Sequence, residues 1–288
     1  MQVFTLPESS PFNVLLTGDL DFVMEFAHRL RAANVPFHIL PPMDEFDEIE
    51  YELELVAEEM NHGAVDPDVY GEFSAAVVGD VRSTAGTYSH IVDLGVAPVI
   101  ERKSTLAVAC SVNPAATVVV STLTNTATEI GMLTGAASRV VGTGLAPSLI
   151  TTATHIEIAG GLNATPDRLP HAQALLQHLG YATEVVEDRV ALVQVRVLVT
   201  LINEAAFAVM EGVATPEDID AAMRLGVNYP KGLLAWADEI GIPVVTIILD
   251  SLYREYQQER YRPCVLLKQY MRAGWHGVSS KRGFYTYD

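Results

Sequence analysis

Short apolar runs alternate with amphipathic stretches through the first half of the chain. Val14–Thr17, Pro36–Leu40, Ala75–Val78, His90–Leu94, Thr117–Ser121, Val140–Gly142 and His155–Ile158 predict strands. In Phe22–Ala33, the residues Phe22, Val23, Phe26, Ala27 and Leu30 share one helical face, which predicts a helix packed on the sheet. Strands separated by helical patterns predict a mostly parallel, doubly wound sheet.

The pattern changes after Gly160. Thr165-Pro166-Asp167 reads as a helix start, with a capping hydroxyl, an N1 proline and a first-turn acid. That helix passes Leu175, Leu176 and Leu179 and stops at Gly180, and a strand over Ala182–Val186 follows. From Asp188 onward only helices are predicted. Val190–Met210 is long, nearly uncharged and apolar on most faces, so it is expected to be buried all round. Thr215-Pro216-Glu217-Asp218 resembles a capping box and opens Ile219–Leu225, which Gly226 ends. Ile242–Arg254 and Cys264–Arg272 complete an all-helical unit. The expected division is 1–187 for the sheet domain and 188–288 for the helical one.

Composition narrows the function classes. The 288 residues carry a net charge of −18, a field that repels nucleic acid and anionic lipid. No apolar run reaches the length of a membrane span. The N-terminus lacks a basic, then apolar, leader, and Cys110 and Cys264 are far apart, so a cytoplasmic protein with two reduced thiols is expected. Acid is concentrated between Met43 and Met60, where nine Asp and Glu, from Asp44 to Glu59, occur without Lys or Arg. This stretch is either a solvated helix face or a contact surface for a basic partner. No His and Cys cluster suggests a metal site.

The turn after the first strand carries candidate chemistry. A doubly wound fold that binds a dinucleotide places a Gly-rich fingerprint here. Gly18 is present, but Leu20 and Val23 stand at the next two glycine places, flanked by Asp19 and Asp21. The acid expected at the end of the second strand is missing, because Pro36–Leu40 runs into Pro41-Pro42.

The helical half carries a specific set of motifs: Asn203-Glu204-Ala205, Glu217-Asp218-Ile219-Asp220, Tyr229-Pro230, Arg260-Tyr261-Arg262-Pro263 and Gly283-Phe284-Tyr285. Together they resemble the C-terminal domain of the 3-hydroxyacyl-CoA dehydrogenase family, from about Asp188 to Asp288. The resemblance implies a Rossmann-like domain, a helical dimerisation domain and an active site in the cleft between them. It also implies NAD, a catalytic His oriented by a Glu, and substrate contacts from Asn and Ser.

Carried over residue by residue, the resemblance gives Glu157 as the orienting acid and Gly18 as the remaining cofactor glycine. Gly144 stands at the place of the His, after Arg139-Val140-Val141-Gly142-Thr143. Val195 stands at the place of the Asn, with Gln194 adjacent but turned by about 100° on the helix. Thr122 or Thr124 could supply the hydroxyl. His155, two residues before Glu157 on one strand face, is a candidate displaced base. The segment that should meet coenzyme A phosphates is acidic, and Arg102-Lys103 is the nearest basic pair, otherwise an ordinary helix-surface pair.

Three readings follow. The first is a non-catalytic homologue without NAD, dimeric through its helical domain and binding a protein partner or another small molecule. The second is an active NAD-dependent 3-hydroxyacyl-CoA dehydrogenase. The third is a different enzyme using Glu157, His155 and a loop threonine.

Overall fold

The computed structural model describes residues 10–42, 67–79 and 81–288. The acidic stretch Asp44–Glu59 lies outside these residues.

The apolar runs of the first half form one sheet because each is flanked by turns and covered on both faces. Strands β1 (Val14–Gly18), β2 (Phe37–Ile39), β3 (His90–Leu94), β4 (Thr117–Ser121), β5 (Val140–Thr143), β6 (His155–Gly160) and β7 (Ala182–Val185) lie in the order β2-β1-β3-β4-β5-β6-β7. All neighbours are parallel except β5 and β6. Every residue of β1, β3, β4 and β5 is buried, as expected for strands covered by helices on both faces. Strand order reverses between β1 and β3, which opens a crevice at their carboxyl ends.

Helices α1 (Leu20–Ala32), α2 (Lys103–Val112), α3 (Ala127–Leu133) and α4 (Arg168–His178) accompany the sheet. Phe22, Val23, Phe26, Ala27 and Leu30 of α1 are buried, the face its periodicity predicts. The helical half follows: α5 (Gln194–Met210), α6 (Pro216–Gly226), α7 (Leu233–Ile240), α8 (Ile242–Tyr256) and α9 (Val265–Arg272). None of the described helices is long and apolar enough to cross a membrane. Cys110 and Cys264 are buried and free.

Four expectations need correction. Ala75–Val78 is not a strand; Pro67–Ala76 forms 3-10 turns broken at Gly71, and Val77 makes a single bridge to Ile39. The helix expected from Thr165 begins at Arg168, because the Thr165 hydroxyl donates to the Ser138 carbonyl rather than capping the helix. The helix expected from Val190 begins at Gln194, because Ala191 and Leu192 hold left-handed φ values of 59° and 43° that no helix tolerates. It is also not buried all round: Val193 and Val197 are each 51% exposed. The capping reading at Thr215 holds, since its hydroxyl accepts the Asp218 N–H at 3.2 Å.

The motifs of the helical half are its structural ties. Asn203 joins α5 to the segment before α9, donating to the Arg262 carbonyl at 2.9 Å and accepting the Cys264 N–H at 2.8 Å. The Asp220 carboxylate accepts the Leu234 and Ala235 N–H groups at the start of α7 and the Tyr285 hydroxyl. Asp238 accepts the N–H groups of Phe284 and Tyr285 and pins the C-terminal tail.

Candidate functional site

The nucleotide turn is built from the ends of β1 and β3. Gly18 has φ 121°, and a Cβ there would lie 2.5 Å from the Leu94 carbonyl carbon. Glycine is therefore required by the approach of β1 to β3, whether or not a ligand binds. Leu20 lies partly buried against the core, and Val23 is buried in it. Asp19 occupies the N-cap position of α1 but does not cap it. Its carboxylate crosses the crevice instead, and Oδ2 accepts the Val96 N–H at 2.6 Å.

Beside it, Asp93 at the end of β3 pairs with Arg102 just before α2. Asp93 is 3% and Arg102 12% exposed, so Arg102 belongs to a buried ion pair and not to a surface pair with Lys103. Arg102 Nε also donates to the Ala97 carbonyl at 2.8 Å, while Nη2 is buried without a partner. Burial lowers the Arg102 pKa to about 10, with the Asp19 charge opposing that shift. Between these groups lies a cavity of about 240 Å³, lined by Thr17, Gly18, Asp19, Pro42, Asp93, Gly95, Ala97, Arg102, Thr105 and Leu106.

This lining does not fit a dinucleotide pyrophosphate. Two carboxylates face one guanidinium, which Asp93 already holds, and the Val96 N–H is taken by Asp19. A phosphate charge ~5 Å from the Asp19 carboxylate meets a repulsion of about 3 kcal/mol at an effective dielectric constant near 20. No acid follows β2 as far as Pro42, the last residue described there. Sequence reasoning found the missing glycines and the Arg102 cation but missed its pairing with Asp93, nine residues earlier across a strand end and a loop.

The catalytic positions sit on β5, β6 and the start of α5. Gly144 follows β5, and its N–H donates to the Glu157 carbonyl on β6. A Cβ built on Gly144 lies 3.4 Å from Glu157 Oε2 and 3.5 Å from Leu192 Cδ1. A side chain at this position thus stands next to the Glu157 carboxylate, as the resemblance implies for the His and Glu. Glycine places no side chain there.

Glu157 is engaged elsewhere. Its carboxylate accepts the N–H of Val193 at 2.9 Å and that of Gln194 at 2.9 and 3.0 Å. These are orphan donors at the start of α5, which has no capping side chain of its own. Asp188 does the reverse, accepting the Ala127 and Thr128 N–H groups at the start of α3.

The other candidates do not converge on Gly144. Thr122 is buried and donates to the Thr143 carbonyl at 3.0 Å. Thr124 is buried and donates to the Val96 carbonyl at 3.0 Å. His155 is exposed at the start of β6, with Nδ1 3.0 Å from the Thr154 hydroxyl, and makes no hydrogen bond to Glu157. Val195 is buried, while Gln194 is exposed. Among the described residues no group of three His, Cys, Asp or Glu is placed to hold a metal ion.

Residues 193–287 match the family described as 3-hydroxyacyl-CoA dehydrogenase, C-terminal domain. A probable 3-hydroxybutyryl-CoA dehydrogenase of Bacillus subtilis is 39% identical over 161 residues, 56% of this chain and 56% of that protein. The 3-hydroxybutyryl-CoA dehydrogenase of Bradyrhizobium diazoefficiens is 38% identical over 132 residues, 46% of this chain and 45% of that protein. The chain thus spans about half the length of these relatives. Likeness in fold extends further. M. tuberculosis FadB2 superposes with a TM-score of 0.78 at 21% identity, covering 96% of this chain and 98% of that one. The (S)-3-hydroxybutyryl-CoA dehydrogenase PaaH1 of Ralstonia eutropha gives 0.73 at 22% identity, covering 97% and 100%. Residues 193–287 thus match the C-terminal domain of the 3-hydroxyacyl-CoA dehydrogenase family, and the chain as a whole shares the fold of these dehydrogenases.

Proposed function

We propose that this chain is a 3-hydroxyacyl-CoA dehydrogenase-like protein that has given up NAD-dependent hydride transfer and works by binding. One observation carries the reading. Gly144 stands where a base would meet Glu157, and the Glu157 carboxylate is bound to the first turn of α5. A general base must lie within hydrogen-bond reach of the proton it removes, and no described side chain is placed for that beside Gly144. The filled nucleotide turn points the same way.

The second reading is a working NAD-dependent 3-hydroxyacyl-CoA dehydrogenase. Its support is the likeness to the probable 3-hydroxybutyryl-CoA dehydrogenase of B. subtilis and the 3-hydroxybutyryl-CoA dehydrogenase of B. diazoefficiens. One experiment separates the two. NADH is titrated by fluorescence and by thermal shift, and oxidation of a short 3-hydroxyacyl-CoA by NAD is assayed in parallel. Silence in all three supports loss of the reaction. Micromolar NADH binding with turnover refutes it and establishes the dehydrogenase.

In the same proposal the helical half, taken from residue 188, forms a homodimer. Its support is the exposed apolar pair Val193 and Val197 at the start of α5, which a two-fold partner would cover. A protein partner for the altered sheet domain belongs to this reading. So does a cytoplasmic location, which suits the free thiols of Cys110 and Cys264.

A further inference from the structure

The loop after β5, residues 145–153, carries no ionisable side chain, and one of its residues touches both halves of the chain. Ser148 holds a left-handed φ of 58°, a region that residues bearing a Cβ rarely adopt. Two hydrogen bonds hold it there. Its N–H donates to Glu25 Oε1 on α1 at 3.1 Å, and its hydroxyl donates to the Glu239 carbonyl on α7 at 2.6 Å. The rest of the loop is tied to the sheet domain, because Arg29 Nη2 donates to the Ile150 and Ala153 carbonyls at 3.1 Å each. Ser148 thus bridges the first helix of the sheet domain and the helical half.

The Glu25 end of this bridge suits a neutral carboxyl better than a charged one. Glu25 Oε2 is buried without a hydrogen-bond partner among the described residues. Asp21 stands one turn earlier on α1, and Glu239 approaches from α7, its own charge met by Lys231. Tyr181, ahead of β7, also faces Glu25, but its hydroxyl donates to the Ile150 carbonyl at 2.8 Å and accepts Arg29 Nε at 3.1 Å. Burial raises the Glu25 pKa above its ordinary value of 4.5; the Ser148 N–H opposes the shift, and the Asp21 and Glu239 charges add to it.

We propose that Glu25, Ser148 and the end of α7 form a proton-controlled latch between the two halves, clasped when Glu25 is protonated and loosened when it ionises. Protonation removes one of three neighbouring negative charges and leaves Oε1 able to accept the Ser148 N–H. In the open junction water solvates the carboxylate, so the open form has the lower pKa. Closure is therefore favoured fully below the solvated value of 4.5 and is lost as pH rises through the value of the closed form. Loosening widens the cleft between the sheet domain and α7. The proposal does not depend on the loss of hydride transfer.

Hydrogen exchange of the full chain, followed by NMR near pH 5 and pH 8 and corrected for intrinsic rates, reads the latch at the residue-148 amide. The expected protection is at least about threefold greater near pH 5. Glu25→Gln keeps an acceptor oxygen but cannot ionise, so its protection should change by less than about twofold. Ser148→Ala cuts only the bond to α7 and should lose protection near pH 5. The β4 amides of Val118, Val119 and Val120 serve as the control.

Protection at Ser148 that ignores pH overturns the proposal. So does a Glu25→Gln profile parallel to the parent, or full protection in Ser148→Ala. An equal fall in the β4 amides overturns it too, because that reports global unfolding and not a latch.

Discussion

Glu157 offers the sharpest test, because a relic of catalysis and a structural carboxylate predict different outcomes. Removing the side chain in Glu157→Ala strips the acceptor from the Val193 and Gln194 N–H groups. Loss of an N-cap acceptor costs about 0.5–2 kcal/mol. The negative charge at a helix N-terminus contributes a further ~0.3–1 kcal/mol. The site is half-buried, so water recovers part of the loss. The expected destabilisation is about 2 kcal/mol, which for a chain this size lowers Tm by roughly 4–8 °C. Glu157→Gln keeps one acceptor oxygen and loses the charge, so it should fall about midway.

Differential scanning calorimetry of the three proteins at neutral pH reads this directly. If Glu157→Ala melts within about 1 °C of the parent, the carboxylate is not holding α5 and the reasoning fails.

Four further outcomes follow from named contacts. Gly144→His should fold, because its Cβ would make only ordinary contacts and Gly144 lacks a left-handed φ. Beside Glu157 the imidazole should titrate above its usual value near 6.5, read by NMR; titration at or below that value would place the ring elsewhere. Burial lowers the His90 pKa to about 4, so below pH 6.5 the unfolded chain binds a proton that the folded one refuses. Stability should fall by roughly 3 kcal/mol between pH 6.5 and 4, and a His90→Gln curve parallel to the parent would contradict this. Burial raises the Glu25 pKa, partly opposed by the Ser148 N–H, so the folded state loses stability as pH rises above the unfolded value of 4.5. Glu25→Gln should therefore melt higher than the parent at pH 7.5 and equally below pH 4, checked by thermal shift across that range. Light scattering after size exclusion should give a dimer that Val197→Asp dissociates; a monomeric parent would refute the proposed interface.

The fold was legible where burial alone decides structure. Val14–Thr17, His90–Leu94 and Thr117–Ser121 each centre on two or three consecutive β-branched or leucine residues, and all are buried strands. The resemblance was legible in the helical half because Asn203, Asp220 and Gly283 serve packing at fixed places. Other features depended on contacts distant in sequence. The start of α5 is delayed by left-handed Ala191 and Leu192, at residues that carry no turn signal. Arg102 looked like a surface cation because its partner Asp93 lies on a strand end. The role of Glu157 needed a partner 36 residues away. Helix α7 went unread because the cap for its first turn comes from Asp220, on a different helix.

Retained and altered positions divide by what constrains them. Gly18 is held by backbone packing against Leu94, and Glu157 by two N–H donors at the start of α5. Neither constraint involves a ligand, so neither residue argues for the reaction. Gly144, Val195, Leu20 and Pro41 stand where the resemblance implies groups that only cofactor or substrate would require. A fold released from hydride transfer but still required to hold together would keep the first set and lose the second. An active enzyme would have to replace a base, a substrate contact and a phosphate cradle by other means at once.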